Sequence, residues 1–322
     1  MRRLFANANY QFIPNRRKAY IASAAAILIS IAAAVFWQVN DGSWLNYGVD
    51  FTGGSSIRIA VEGESVDVTQ VRQVATSSVP GATVTRFGQD NEFLIRTPGT
   101  GSDVATESSR ALLGGLAGHF GEENIRLVSE ESVGAKVGGE LQTRALLAII
   151  ISFVATLIYI AFRFEWRFGV AAVIATLHDV VLTLGLIALL RLEISLTTVA
   201  AVLTILGYSL NDTIVIFDRI RENLHASKRV DFNAVLNRSI NDTLPRTILT
   251  TGTTIATLLA LYLFGGVIIR DFALILIAGI LLGTYSSIFI ASPALLEIEK
   301  RYPHQPKQPK RTRAPAAKPS RV

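Results

Sequence analysis

Apolar residues gather along this chain in runs too long for the core of a soluble domain. They fill 19–39, 145–162, 168–190, 194–217, 247–268 and 271–296, and each reaches or approaches the roughly 20 residues of a membrane-crossing helix. The pattern predicts six spans, at 19–39, about 142–162, 168–190, 194–217, 247–268 and 270–297. The first, "AYIASAAAILISIAAAVFWQV", follows Arg16, Arg17 and Lys18 as a secretory leader would. Its apolar core exceeds the roughly 7–15 residues of a leader, so an uncleaved anchor is expected.

Between the first two spans the period changes. "SSIRIAVE" (55–62) alternates, with Ile57, Ile59 and Val61 on one face of a strand. Asp67 is placed to cap a helix over "VTQVRQVATSS", which Pro80 and Gly81 end. "ATVTRFG" (82–88) and "EFLIRT" (92–97) read as strands joined by a hairpin connection at "QDN". Ser102 or Asp103 caps a second helix through "ATESSRALLGGLAGHF", and "NIRLVSE" (124–130) closes the unit as a strand. The expected fold class is thus membrane α-helical, with one α+β domain, βαββαβ and ferredoxin-like, between helices 1 and 2. His119 is the one histidine of that domain, expected on the surface near a helix end. No nucleophile there has a base placed beside it by the sequence.

Charge orients these elements. Of 322 residues, 50% are hydrophobic and 17% charged, against roughly 25% charged in a soluble domain. Lys and Arg concentrate on one side of the predicted spans: five in 1–18, Arg163 and Arg167 in the turn "FRFEWR", six in 218–246 and eight from 298 onward. The turns on the other side hold only Arg191 and Arg270. By the positive-inside rule the basic side is cytoplasmic. Both termini then lie inside, in a bacterial cytoplasmic (inner) membrane, and 40–141 lies outside. Asp and Glu outnumber Lys and Arg there by 14 to 7, so the formal +6 reads as a topology signal and not as a nucleic-acid surface. Residues 298–322 are Pro-, Lys- and Arg-rich, expected to be a disordered cytoplasmic tail touching anionic lipid. The chain has no cysteine, and the outer domain is large enough to hold a core without disulfides.

Polar residues inside the spans carry the candidate chemistry, since a charge at membrane depth costs roughly 2.5–3.5 kcal/mol even on insertion scales. In "ILGYSLNDTIVIFD" (205–218), Asp212 stands among aliphatic residues, about 7.5 Å along the helix from Phe217. Thr197, Ala201, Thr204, Tyr208 and Asn211 share a face with Asp212 at its margin. The fifth span opens "LPRTILTTGTT", with Arg246, Thr250, Thr253, Thr254 and Thr257 on one face, and Pro245 expected in its first turn. Antiparallel neighbours can bring Arg246 to Asp212, making Asp212 a site that binds and releases a proton as Arg246 approaches and retreats. His178 and Asp179 in "ATLHDVVLT" are read first as interhelical hydrogen-bonding groups and second as a relay. Gly279, Gly283 and Ser287 suit close helix packing. No phosphate loop or metal-ligand cluster is present, so protons are the only coupling ion implied and no cofactor is expected.

Five segments together carry a resemblance: "YGVDFTGGSSI" (47–57), "ESVGAKVGGEL" (131–141), "LHDVVLTLG" (177–185), "GYSLNDTIVIFDRIREN" (207–223) and "LPRTILTTGTT" (244–254). In that order they resemble the SecF family, the smaller subunits of the SecD–SecF accessory translocase within the resistance-nodulation-division superfamily. The resemblance implies SecD as the second six-helix half, association with the SecYEG channel, and use of the proton motive force to complete preprotein export after the SecA-driven step. The family's membrane carboxylate maps onto Asp212 and its arginine onto Arg246. It implies a transport subunit and not an enzyme.

Two other classes are weighed against it. A proton-driven exporter of small molecules would be expected to carry a large, aromatic-lined outer domain, which 40–141 does not match. An intramembrane aspartyl protease needs two facing carboxylates, and Asp179 would have to meet Asp212.

Overall fold

The structure is a computed structural model that describes residues 9–62, 66–87, 91–98, 102–226 and 231–303; most of the basic tail lies outside them. Helix α1 (Arg16–Asp41) leads into a short strand β1 (Asn46–Tyr47) and a single turn α2 (Val49–Thr52). An α+β unit follows: β2 (Gly54–Val61), α3 (Val68–Ser78), β3 (Thr83–Arg86), β4 (Glu92–Thr97), α4 (Ser102–Phe120) and β5 (Ile125–Val133). Then come α5 (Ala135–Arg163), α6 (Trp166–Leu189), β6 (Glu193–Ile194), α7 (Leu196–Ala226), α8 (Phe232–Phe264), α9 (Gly266–Ser286) and α10 (Ser292–Arg301). A π-turn, Ser287–Ala291, joins the last two. Six helical stretches are long and apolar enough to cross a membrane, α9 and α10 together forming the sixth.

The α+β unit holds a four-stranded antiparallel sheet in the order β3-β4-β2-β5. Alternation along β2 sends Ile57 and Ile59 to one face, opposite Ile95 and Phe93 of β4. Helices α3 and α4 cover that face with Val71, Ala75, Leu112 and Leu116, all fully buried. Asp67 caps α3 by accepting from the Thr69 amide. The other face, with Ser56, Arg58 and Arg96, looks across a cavity of about 310 Å3 towards Glu193, Thr197 and Asp271.

Several contacts fix this unit to the helical bundle. β1 and β6 form a parallel bridge, and the Gly48 amide donates to the Ile194 carbonyl at 2.9 Å. Asp50 accepts from the Leu196 amide, and Arg96 of β4 pairs with Glu193.

Helix α7 runs on through the charged helical exit "FDRIREN" (217–223), whereas α8 departs from its expected span. α7 continues beyond residue 217 to Ala226, and α8 begins at Phe232 and not near residue 247. These charged extensions are helical up to Ala226 and from Phe232 because their polar side chains bond across the pair. Asn223 donates to Ser239 and Asp242, and Arg219 pairs with Asp242. Pro245 therefore stands well inside α8, not in its first turn, and the missing N–H costs the helix one bond to the Asn241 carbonyl. Side chains of Asn237 and Asn241 hold the main chain of Tyr10 and Phe12 against this extension.

Burial is uneven across the bundle. α6, α7 and the α9–α10 helix bury half or more of their apolar stretches, whereas α5 and α8 bury 11% and 17%. The centre is packed with Phe164, Phe168, Phe217, Ile220 and Ile240 at one end and Ile187, Ile205, Ile275 and Ile280 at the other.

Candidate functional site

Asp212 lies on α7 with 3% of its surface exposed. Thr284 of α9 donates to its Oδ2 at 3.2 Å. A threonine hydroxyl has one hydrogen to give, so Thr251 of α8 must donate to Thr284, at 2.9 Å. The line Thr251–Thr284–Asp212 thus runs through three helices. One turn earlier on α7, Ser209 donates to Asp179; one residue after Asp212, Thr213 meets Ser287 at 2.7 Å. These short contacts require α9 to lie almost against the α7 backbone. Gly279 and Gly283 allow it, as a Cβ on either would stand within 2.8 Å of Ile205 or Ser209.

Arg246 is exposed on α8 and forms no ion pair with Asp212. Its guanidinium stays beyond the 4 Å of an ion pair with that carboxylate. The threonines grouped with it behave differently from Thr251. Thr250, Thr253, Thr254 and Thr257 all bond to carbonyls of their own helix, and Thr253 and Thr257 are exposed. Tyr208 reaches Thr254 at 3.2 Å and bridges α7 to α8. Asn211 and Thr204 are exposed. The exposed part of this polar face, with Thr204, Asn211, Thr253 and Thr257, therefore looks out of the bundle, whereas Asp212, at its margin, turns inward.

His178 and Asp179 of α6 are buried in a second cluster with Ser23, Ser209, Tyr285 and Ser286. Asp179 and Asp212 bond to different hydroxyls and not to each other. Thr251, Thr284, Ser286, Tyr285 and Ser23 are not singled out by the sequence reading. The signal for three of them is the run "GTYSS" (283–287), which that reading used only for close packing. The π-turn begins immediately after Ser286, and such turns recur at functional positions in membrane and soluble helices. Among the described residues, no three His, Asp or Glu side chains are grouped to share a metal ion.

What this geometry can do is limited and specific. A buried carboxylate that accepts one hydroxyl hydrogen bond among the described residues has few ways to hold a charge. It exchanges a proton or acquires a cationic partner.

Comparisons with known proteins agree with the motif reading. Residues 116–301 match the family model described as protein export membrane protein SecD/SecF, C-terminal, and residues 42–64 match the SecD/SecF GG motif. The protein translocase subunit SecF of Gemmatimonas aurantiaca is 41% identical over 94% of this chain and 91% of its own. That of Vibrio alginolyticus is 40% identical over 84% and 85%. A crystal structure of SecDF from Thermus thermophilus, titled a translocon-associated membrane protein, superposes with a TM-score of 0.78 at 36% identity. It covers 92% of this chain, which spans only 39% of that fused protein.

Proposed function

The chain belongs to the SecD/SecF protein-export family, and from that premise we propose that it couples the proton motive force to preprotein export through Asp212. The observation that carries the reading is the burial of Asp212 in the helical bundle, where Thr284 is its one side-chain donor among the described residues. One charge moved through the membrane potential is worth about 2.3 kcal/mol per 100 mV. Protonation of Asp212 removes the buried charge, and approach of Arg246 compensates it; alternation between the two is a cycle that a gradient can drive. The bundle would pass this cycle to the α+β unit through α7, which starts at the β1–β6 bridge and carries Asp212.

In this reading the α+β unit is a ferredoxin-like domain on the extracytoplasmic side, and both termini are cytoplasmic. The strand order β3-β4-β2-β5 supports the first, and the basic side of the spans the second. SecD is the second half. It would cover the outward polar face of Thr204, Asn211, Thr253 and Thr257, and the fused Thermus relative supports that pairing. SecYEG, and a step after SecA acts on the preprotein, follow from family membership.

Proton entry into liposomes holding both halves, followed with an internal pH dye, tests the proton site. Asp212→Asn and Arg246→Met are each expected to drop the rate to that of protein-free liposomes. Entry at the wild-type rate in Asp212→Asn would remove Asp212 from the proton path.

A further inference from the structure

His178 and Asp179 stand outside the Asp212 cluster, and the cycle above makes no use of them. Asp179 Oδ2 accepts from Ser209 of α7 at 2.6 Å and from Ser286 of α9 at 2.7 Å. Its Oδ1 lies 3.1 Å from His178 Nδ1, and His178 Nε2 lies 3.1 Å from Ser23 Oγ of α1. Ser23 Oγ is 3.1 Å from Tyr285 Oη, and the Tyr285 hydroxyl donates to the Ala19 carbonyl at 2.9 Å.

Hydrogens can be counted along this chain, because each hydroxyl has one to give. A carbonyl only accepts, so the Tyr285 hydrogen goes to Ala19. Ser23 then donates to Tyr285 and turns a lone pair towards His178. Nε2 of His178 therefore carries a hydrogen. A neutral imidazole has one N–H, so its Nδ1 would meet Asp179 Oδ1 lone pair to lone pair. At 3.1 Å a hydrogen between them turns that repulsive contact into a hydrogen bond.

We infer that the His178–Asp179 pair binds one proton of its own and is a second proton site in this bundle. Whether written as imidazolium with carboxylate or imidazole with carboxylic acid, the pair has zero net charge. That suits a place where an uncompensated charge is costly. Among the described residues, the one ionisable group that stacks or bonds to the pair from another helix is Tyr285 of α9. α1 and α7 meet it with the hydroxyls of Ser23 and Ser209.

The two sites share their supports. Ser209 and Asp212 lie one turn apart on α7, and Thr284 and Ser286 stand two residues apart on α9. A slide of α7 against α9 that withdraws Thr284 from Asp212 moves Ser209 relative to Ser286 and so disturbs at least one donor to Asp179. The pair is placed to release its proton in the same movement. That use rests on the proton-coupling reading of Asp212; the presence of the proton does not.

The test is the protonation of the pair in the full-length chain in lipid nanodiscs at neutral pH. Nitrogen NMR of histidine-labelled protein reads the ring, with His178→Gln identifying its signal among the four histidines. Infrared spectra of wild type and Asp179→Asn read the carboxyl. The expected result is a hydrogen on Nε2 together with either a second one on Nδ1 or a protonated-carboxyl band that Asp179→Asn abolishes. A neutral ring with its hydrogen on Nδ1 alone, beside an ionised Asp179, overturns the inference. In Asp212→Asn the pair is expected to keep its proton, so failure of the coupling site and failure of this one are read separately.

Discussion

A Cβ on Gly279 would meet Ile205 at 2.2 Å, and one on Gly283 would meet Ser209 at 2.8 Å. These two residues let α9 close on α7 until Thr284 reaches Asp212. Ile205 is itself buried, so Gly279→Ala is expected to cost about 1–3 kcal/mol, the usual range for overpacking. A lowered unfolding midpoint in detergent reads this; an unchanged midpoint would mean that Ile205 swings aside. Thr284→Val keeps shape and removes the donor to Asp212. Intramembrane hydrogen bonds average about 0.6 kcal/mol, so gradient-driven export is expected to fall roughly threefold, and an unaltered rate would detach Thr284 from the site. At this scale Asp212 was legible because a carboxylate among aliphatics stands out. Thr284 was not, because threonine costs little in a membrane helix and its partner is 72 positions away.

The strands and helices of the α+β unit follow the sequence closely because alternation and capping are local signals. The start of α8 does not, since residues 232–246 are too polar to extend a membrane span, and it is Asn223 and Arg219 of α7 that pair with them. No local pattern reports a contact of that kind. The same limit hid β1 and β6, two residues each, which dock the unit on the bundle. Glu193 in β6 is held above the usual carboxylate range: burial raises it, the Arg96 ion pair only partly offsets this, and Asp50 and Asp271 add to the rise. A carboxyl raised in the docked state binds its proton more tightly there than when free. Docking is therefore strongest below the free value of 4.5 and weakens as pH rises through the raised value. Amide exchange at Gly48, which donates to Ile194, should quicken with pH beyond its intrinsic trend. Glu193→Gln should abolish that excess; an equal excess in the variant would place the titration elsewhere.

Taken whole, the chain spans 39% of the SecDF structure on which it superposes. Six spans and their order were legible from apolar runs alone, but which faces are covered was not, because burial depends on neighbours that the pattern does not contain. The outward face of α8, with Thr253 and Thr257 exposed, is the surface where a second half would sit. The chain has no cysteine, so Thr257→Cys gives a single label site. A bulky maleimide is expected to react when the chain is expressed alone and to be blocked when SecD is present; equal labelling would contradict that interface. The central claim is that Asp212 couples the proton gradient to export. It is tested most directly by preprotein translocation into membrane vesicles under an imposed gradient, comparing wild type with Asp212→Asn. The account predicts that the gradient-dependent stimulation disappears while the variant still assembles with its partner. Stimulation that survives in the assembled variant would contradict it.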